Sequence, residues 1–176
     1  IVAETGTGVF RHTVSMLDAT HFAVGSTSTF QMRVGVIDGS NNVTYGTAIA
    51  VPGQCQYTGQ VVAIDSTHFV FTAVNSYYDI YGVMVSVSGT TPTIGNLTEI
   101  GRGGANNDAY AALDNNNVVW VGLHGLTTLS ARVLSLSGTT LSANTVATCA
   151  VINAHRVSVA ALSATSFVVA YYAFVP

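Results

Sequence analysis

Ile64 to Gly89 reads IDSTHFVFTAVNSYYDIYGVMVSVSG, and the chain repeats this pattern elsewhere. Leu17 to Gly39 reads LDATHFAVGSTSTFQMRVGVIDG, and Leu113 to Gly138 reads LDNNNVVWVGLHGLTTLSARVLSLSG. A further copy opens at Leu162 as LSATSFVVAYYAF. The anchors Asp18, Asp65, Asp114 and Ser163 are separated by 47, 49 and 49 residues. Gly39, Gly89 and Gly138 follow their anchors by 21, 24 and 24 residues. A fixed period of this size marks a repeat architecture, in which neighbouring units bury each other's apolar faces.

Each copy divides into four short apolar runs. The first precedes the anchor (residues 13–17, 60–64, 109–113 and 158–162) and the second follows it (21–25, 68–72, 117–121 and 166–170). The third ends at the glycine (30–37, 80–87 and 129–136), and the fourth is the least regular (43–51, 93–100 and 141–147). Val, Ile, Thr, Phe and Tyr fill these runs, while Gly, Asn, Asp and Ser bound them, which is strand chemistry with turn punctuation. The sequence predicts an all-β chain. Four strands in roughly 45 residues is the size of one β-propeller blade. Phe22, Phe69, Val118 and Phe167 stay apolar at one repeat position, as do Val24, Phe71, Trp120 and Val169 at another. A blade packed on both faces needs no apolar–polar alternation, so a propeller is expected before a two-sheet sandwich, which leaves the period unexplained. The units run 13–56, 57–106 and 107–154, with partial units at 1–12 and 155–176.

Of 176 residues, 49% are hydrophobic and only 7% charged, with net charge −3. Average chains carry about 25% charged residues, so Ser, Thr, Asn, Gln and backbone must cover this surface. Such a surface suits an extracellular, cell-surface or virion setting. Five Lys and Arg give no basic patch for nucleic acid, and no apolar run approaches the ~20 residues of a membrane span. By register Ile1 to Ala3 match Ala48 to Ala50, the end of a fourth strand. The ends are therefore expected to meet each other, a second copy of the chain, or covalent neighbours. The apolar edge from Phe167 to Phe174 is expected to be covered. Cys55 and Cys149 lie two units apart, too far for the ~7 Å reach of a disulfide, and are expected as two buried thiols.

The chemistry-bearing residues favour turns over catalysis. Asp18, Asp65 and Asp114 lack the converging oxygens of a calcium loop and read as caps of their own turns. His21 and His68 share a position that later becomes Asn117 and Ser166, with no zinc-ligand spacing beside them. His12, His124 and His155 stand singly, there is no GxSxG elbow, and Glu99, Arg102 and Asp108 read as a polar loop. No catalytic group, metal or cofactor is expected. Arg11, Thr58, Asn107 and Arg156 are repeat equivalents before the first strand, so in a propeller they ring the mouth of the channel, where ligands bind by analogy. Tyr77 and Tyr78, beside Asn75 and Asp79, suit a sugar.

LDATHFAVG from Leu17, IDSTHFVFT from Ile64 and SATSFVVAYY from Ser163 carry a resemblance, as do VSVSGTTPTIG from Val85 and LSLSGTTLSAN from Leu134. With these repeats in register the chain resembles the β-propeller-type repeat proteins of bacterial surfaces and phage tails or fibres. The resemblance implies a structural or adhesive role, and this chain departs from a full member in carrying too few units. The expected function is a non-enzymatic surface or virion module that binds a glycan or protein receptor. The alternative is a fragment of a secreted propeller hydrolase, which needs an acidic or histidine cluster at the channel mouth.

Overall fold

The turn residues cut the chain where the repeat requires. A computed structural model of the protein describes residues 12–26, 31–51, 55–103, 108–124, 128–151 and 154–173. These residues form strands and no helix. The first sheet holds β1 (His12–Met16), β2 (His21–Ser26), β3 (Gln31–Ile37), β4 (Val43–Tyr45) and β5 (Ile49–Ala50). The second holds β6 (Cys55–Asp65), β7 (His68–Asn75), β8 (Asp79–Ser88) and β9 (Thr91–Arg102). The third holds β10 (Asp108–Asp114), β11 (Asn117–His124), β12 (Thr128–Ser137), β13 (Thr140–Ala143) and β14 (Ala147–Val151). The fourth is the hairpin β15 (Ala154–Ser163) and β16 (Ser166–Ala173).

All pairings are antiparallel, and strands lie in space in the order of the sequence, as the repeat register predicts. The fourth run is the exception to regularity. In the first and third sheets it breaks in two, with β4 and β5 both on β3, and β13 and β14 both on β12. In the second sheet it stays whole as β9, with register shifts. The recurring glycines have a reason at two positions: Gly89 and Gly138 turn the chain at φ +59° and +58°, where side chains are strained. Gly39 does not share it. There Asn41 takes the positive φ of 62°, and Asp38 Oδ1 accepts from the N–H groups of Ser40 and Asn42.

The four sheets stack face to face in chain order. Ala23, Met32 and Val34 meet Phe69, Phe71 and Val85 between the first two. Val70, Ile80 and Ile100 meet Trp120, Val118 and Leu134 between the second and third. Val119, Val121 and Leu129 meet Val159, Phe167 and Val169 at the last interface. The middle strands β7 and β11 are consequently buried on both faces through six consecutive residues, which is why they lack alternation. The described residues close no barrel or ring.

The strand edges are tied across the stack. Val61 N–H donates to Thr13 Oγ1 at 3.2 Å and Ala63 N–H to Ser15 Oγ at 3.3 Å, so β6 runs beside β1. On the far side Asn96 brackets one residue of the next sheet: Leu141 N–H donates to its Oδ1 at 2.9 Å, and its Nδ2 donates to Leu141 O at 3.2 Å. Gly46 and Gly95 lie against the carbonyls of Thr90 and Thr139, each the residue after the next sheet's turn glycine. A methyl group on Gly95 would stand 1.8 Å from the Thr139 oxygen.

Cys149 departs from expectation. It is a free thiol and exposed, because β14 lies at the margin of the third sheet. Partial burial still pushes its pKa up. Cys55 lies in β6, where its side chain is outside the described residues. The match expected of Ile1 to Ala3 with a fourth strand is also outside them.

Two substitutions test the stacking. Trp120→Ala empties the centre of the interface between the second and third sheets and lowers unfolding free energy by about 3–5 kcal/mol, read by denaturant titration. Gly95→Ala forces the outer strands apart and destabilises by about 1–3 kcal/mol, whereas Gly39→Ala, which meets open space, changes stability by less than about 1 kcal/mol.

Candidate functional site

The stack has two ends of different character. At one, the anchor residues fold back on their own turns. Asp18 Oδ1 accepts the Thr20 N–H at 2.7 Å, and Asp65 and Asp114 accept those of Thr67 and Asn116 at the same distance. Ser163 repeats the contact with its hydroxyl, which accepts the Thr165 N–H at 3.2 Å. The residue three places on completes each turn. His21 and His68 place Nδ1 at 2.9 and 3.0 Å from a carboxylate oxygen, Asn117 donates at 3.0 and 3.1 Å, and Ser166 lies 2.6 Å from Ser163.

The electrostatics follow. The N–H groups of Thr20 and His21 hold Asp18 down at about 2. Burial works to raise Asp65, but the Thr67 N–H, its hydroxyl and His68 bring it below the usual carboxylate range. Asn116 and Asn117 do the same for Asp114. These carboxylates are spent on turns. Among the described residues no three His, Cys, Asp or Glu side chains gather to hold a metal ion.

The opposite end, here the Tyr77 end, carries the described part of the predicted site. Arg11 and Asn107 lie outside the described residues, and Thr58 is described only by its backbone in β6. Tyr77 and Tyr78 sit in the β7–β8 turn, 68% and 45% exposed. Arg156 lies near the start of β15 and is exposed. Because β1 and β6 run side by side and Gln60 Nε2 donates to Asp108 O at the start of β10, the first-strand starts line up. The hairpin ends that carry Tyr77 and Tyr78 belong to this same end.

The backbone is unusual here. Tyr78 and Arg156 hold φ at +66° and +54°, the left-handed region that non-glycine residues rarely adopt. Register shifts interrupt β6 between Thr58 and Val61 and β15 between His155 and Ser158, overlapping repeat positions offset by one residue. Such bulges re-aim side chains and gather near functional sites. Asn75 and Asp79, in contrast, are engaged in the turn itself. Asn75 Oδ1 accepts from the N–H groups of Tyr77 and Asp79, its Nδ2 donates to Asp79 Oδ2 at 3.0 Å, and Arg102 Nε stands 3.6 Å from Asp79 Oδ1. They shape the loop that presents the tyrosines.

Asp108 is the residue the sequence misplaces. It does not share a solvated loop with Glu99 and Arg102. It is 8% exposed at the start of β10, and burial pushes its carboxyl above the ordinary value. The Tyr110 hydroxyl opposes that rise, although neither that hydroxyl nor Asp108 Oδ2 has a partner in hydrogen-bond geometry. Trp120 Nε1 and Arg132 Nε, also in the third sheet, are buried and unpartnered too. Asp108 and Tyr110 share the face that packs on the second sheet, and the apolar spacing around Tyr110 was the available signal. No known protein family matches the chain, and no curated protein is significantly similar to it.

A carboxyl whose folded pKa is raised stabilises the fold below its unfolded pKa and loses that contribution as pH rises through the folded value. Asp108→Asn is therefore expected to stabilise the protein at pH 7 by on the order of 1 kcal/mol, a Tm rise of about 2–4 °C. The advantage shrinks as pH falls towards 4, measured by thermal melts of both proteins. The turn aspartates act the opposite way, losing their stabilisation as pH falls through their depressed pKa values, and this common loss cancels between the two proteins.

Proposed function

We propose that this chain is a non-enzymatic adhesion and assembly module of a virion or cell surface. In this reading the sheets are blades of a β-propeller and the Tyr77 end is the face that meets a glycan. The observation that carries the reading is the pairing, at one end, of exposed Tyr77 with two non-glycine residues held at positive φ, Tyr78 and Arg156. Strain of this kind persists where surrounding structure enforces it, and it clusters at ligand-contacting positions. Tyrosine supplies a large, rigid and amphipathic contact surface at low entropic cost. Arg156 offers a planar donor fork for a carboxylate or for vicinal hydroxyls. The period of 47 to 49 residues and the double-faced burial of β7 and β11 support the blade reading. The turn-bound state of Asp18, Asp65 and Asp114 weighs against the hydrolase alternative, since each carboxylate already has donors that lower its pKa.

A glycan array with the wild type, Tyr77→Ala, and the Arg11→Ala, Arg156→Ala pair tests the proposal. Tyr77→Ala is expected to weaken all binding by about tenfold, on the order of 1.4 kcal/mol. The arginine pair is expected to remove the preference for sialylated or uronic-acid glycans over neutral ones. Equal binding by all three proteins would move the site elsewhere, and no binding by any would leave the assembly role alone.

A further inference from the structure

Each interface in the stack is made by the same two faces, and the stack leaves one of each exposed. Ala23, Val70 and Val119 occupy one repeat position and are 0% exposed beneath the sheet that follows, whereas Val168 at that position in the fourth sheet is 50% exposed. Leu17 at 8% and Leu162 at 70% repeat the contrast. On the other face, Val61 and Tyr110 are 7% and 8% exposed under the preceding sheet, whereas their equivalent Val14 in the first sheet is 64% exposed and Met16 beside it 49%. The two terminal faces therefore do not cover each other within one chain.

We propose that the outer face of the fourth sheet docks on the outer face of the first sheet of a second copy of this chain. Such a contact continues an interface the chain already builds three times between equivalent faces. Ser158 stands at the repeat position of Thr13, whose hydroxyl accepts the Val61 N–H. The amide at the Val61 position in the first sheet is that of Val14. The hydroxyl that caps a β6 amide within the chain thus has its counterpart on one terminal face, and the amide has its counterpart on the other. Charge does not oppose the contact. Arg33 lies opposite Val24 in the register that Arg132 occupies opposite Trp120, and Arg132 Nη1 donates across its interface to Ile100 O. Among the described residues β15 and β16 carry one formally charged side chain, Arg156, near the start of β15. Apolar side chains this exposed, gathered on two faces, mark interaction surfaces. A contact between two different faces is heterologous and propagates into a closed ring or a filament. It extends the stack without involving the Tyr77 end, so it stands or falls separately from glycan binding.

Sedimentation velocity on the whole chain across a concentration series tests the proposal, with Val14→Asp and Val168→Asp as variants at exposed positions. The wild type is expected to associate beyond its 18.2 kDa chain mass. Each variant alone is expected to weaken association by about 100-fold, because a carboxylate then meets an apolar face. Mixing the two variants restores a two-chain species, since the mixture still contains one intact face of each kind. A wild type that stays monomeric overturns the proposal. So does a mixture no more associated than its components, or Val168→Asp associating like wild type, which would mean a symmetric contact of first sheet on first sheet. Circular dichroism checks that both variants fold, and Met16→Lys with Leu162→Lys replaces the pair if either does not.

Discussion

The open edge of a first strand is the constraint from which the architecture follows. In β6 the amides of Val61 and Ala63 are bonded by hydroxyls of the sheet before, Thr13 and Ser15. An uncovered edge of this kind invites pairing with any strand that meets it. Here side chains from β1 occupy it, and doing so sets β1 beside β6 in register. Once the first strands lie together, the faces behind them must pack, and both faces of each middle strand become interior. Asn96 performs the complementary task at the outer side, holding the Leu141 backbone at both its N–H and its carbonyl.

The aspartate turns belong to the same logic. A repeat whose strands are buried on both faces has little polar surface with which to define register. The turns supply it through local donors that no neighbouring sheet has to provide. His21 and His68 serve that purpose, which explains how Asn117 and Ser166 replace them without loss of geometry. One end of the stack is committed to its own turns, and the other carries the irregular backbone of Tyr78 and Arg156.

Local chemistry was legible in the sequence, and contacts across the stack were not. The strands, their antiparallel order and the aspartate caps depend on residues within a few positions of one another, and a repeat shows them several times over. Asp108 is buried where Gln60 of a different sheet donates to its carbonyl, a contact far away in sequence, so the local sequence Asn-Asp-Ala-Tyr reads as a loop. Cys149 reads as core by residue type, yet β14 is a detached piece of the fourth run and leaves it exposed. The glycine spacing concealed two mechanisms, since Gly89 and Gly138 need positive φ while Asn41 assumes it in the first sheet. Tyr77 and Tyr78 were recognisable from residue type, but the engagement of Asn75 and Asp79 in their own turn was visible only in three dimensions.

Amide hydrogen exchange in Thr13→Val tests most directly whether side-chain capping of the first-strand edge joins successive sheets. The substitution keeps the shape of the side chain and removes only the hydroxyl that accepts the Val61 N–H. Loss of one hydrogen bond worth about 1 kcal/mol predicts exchange at Val61 roughly fivefold faster, while Ala63, held by Ser15, keeps its wild-type rate. An unchanged rate at Val61, or acceleration spread evenly along β6, would contradict the account.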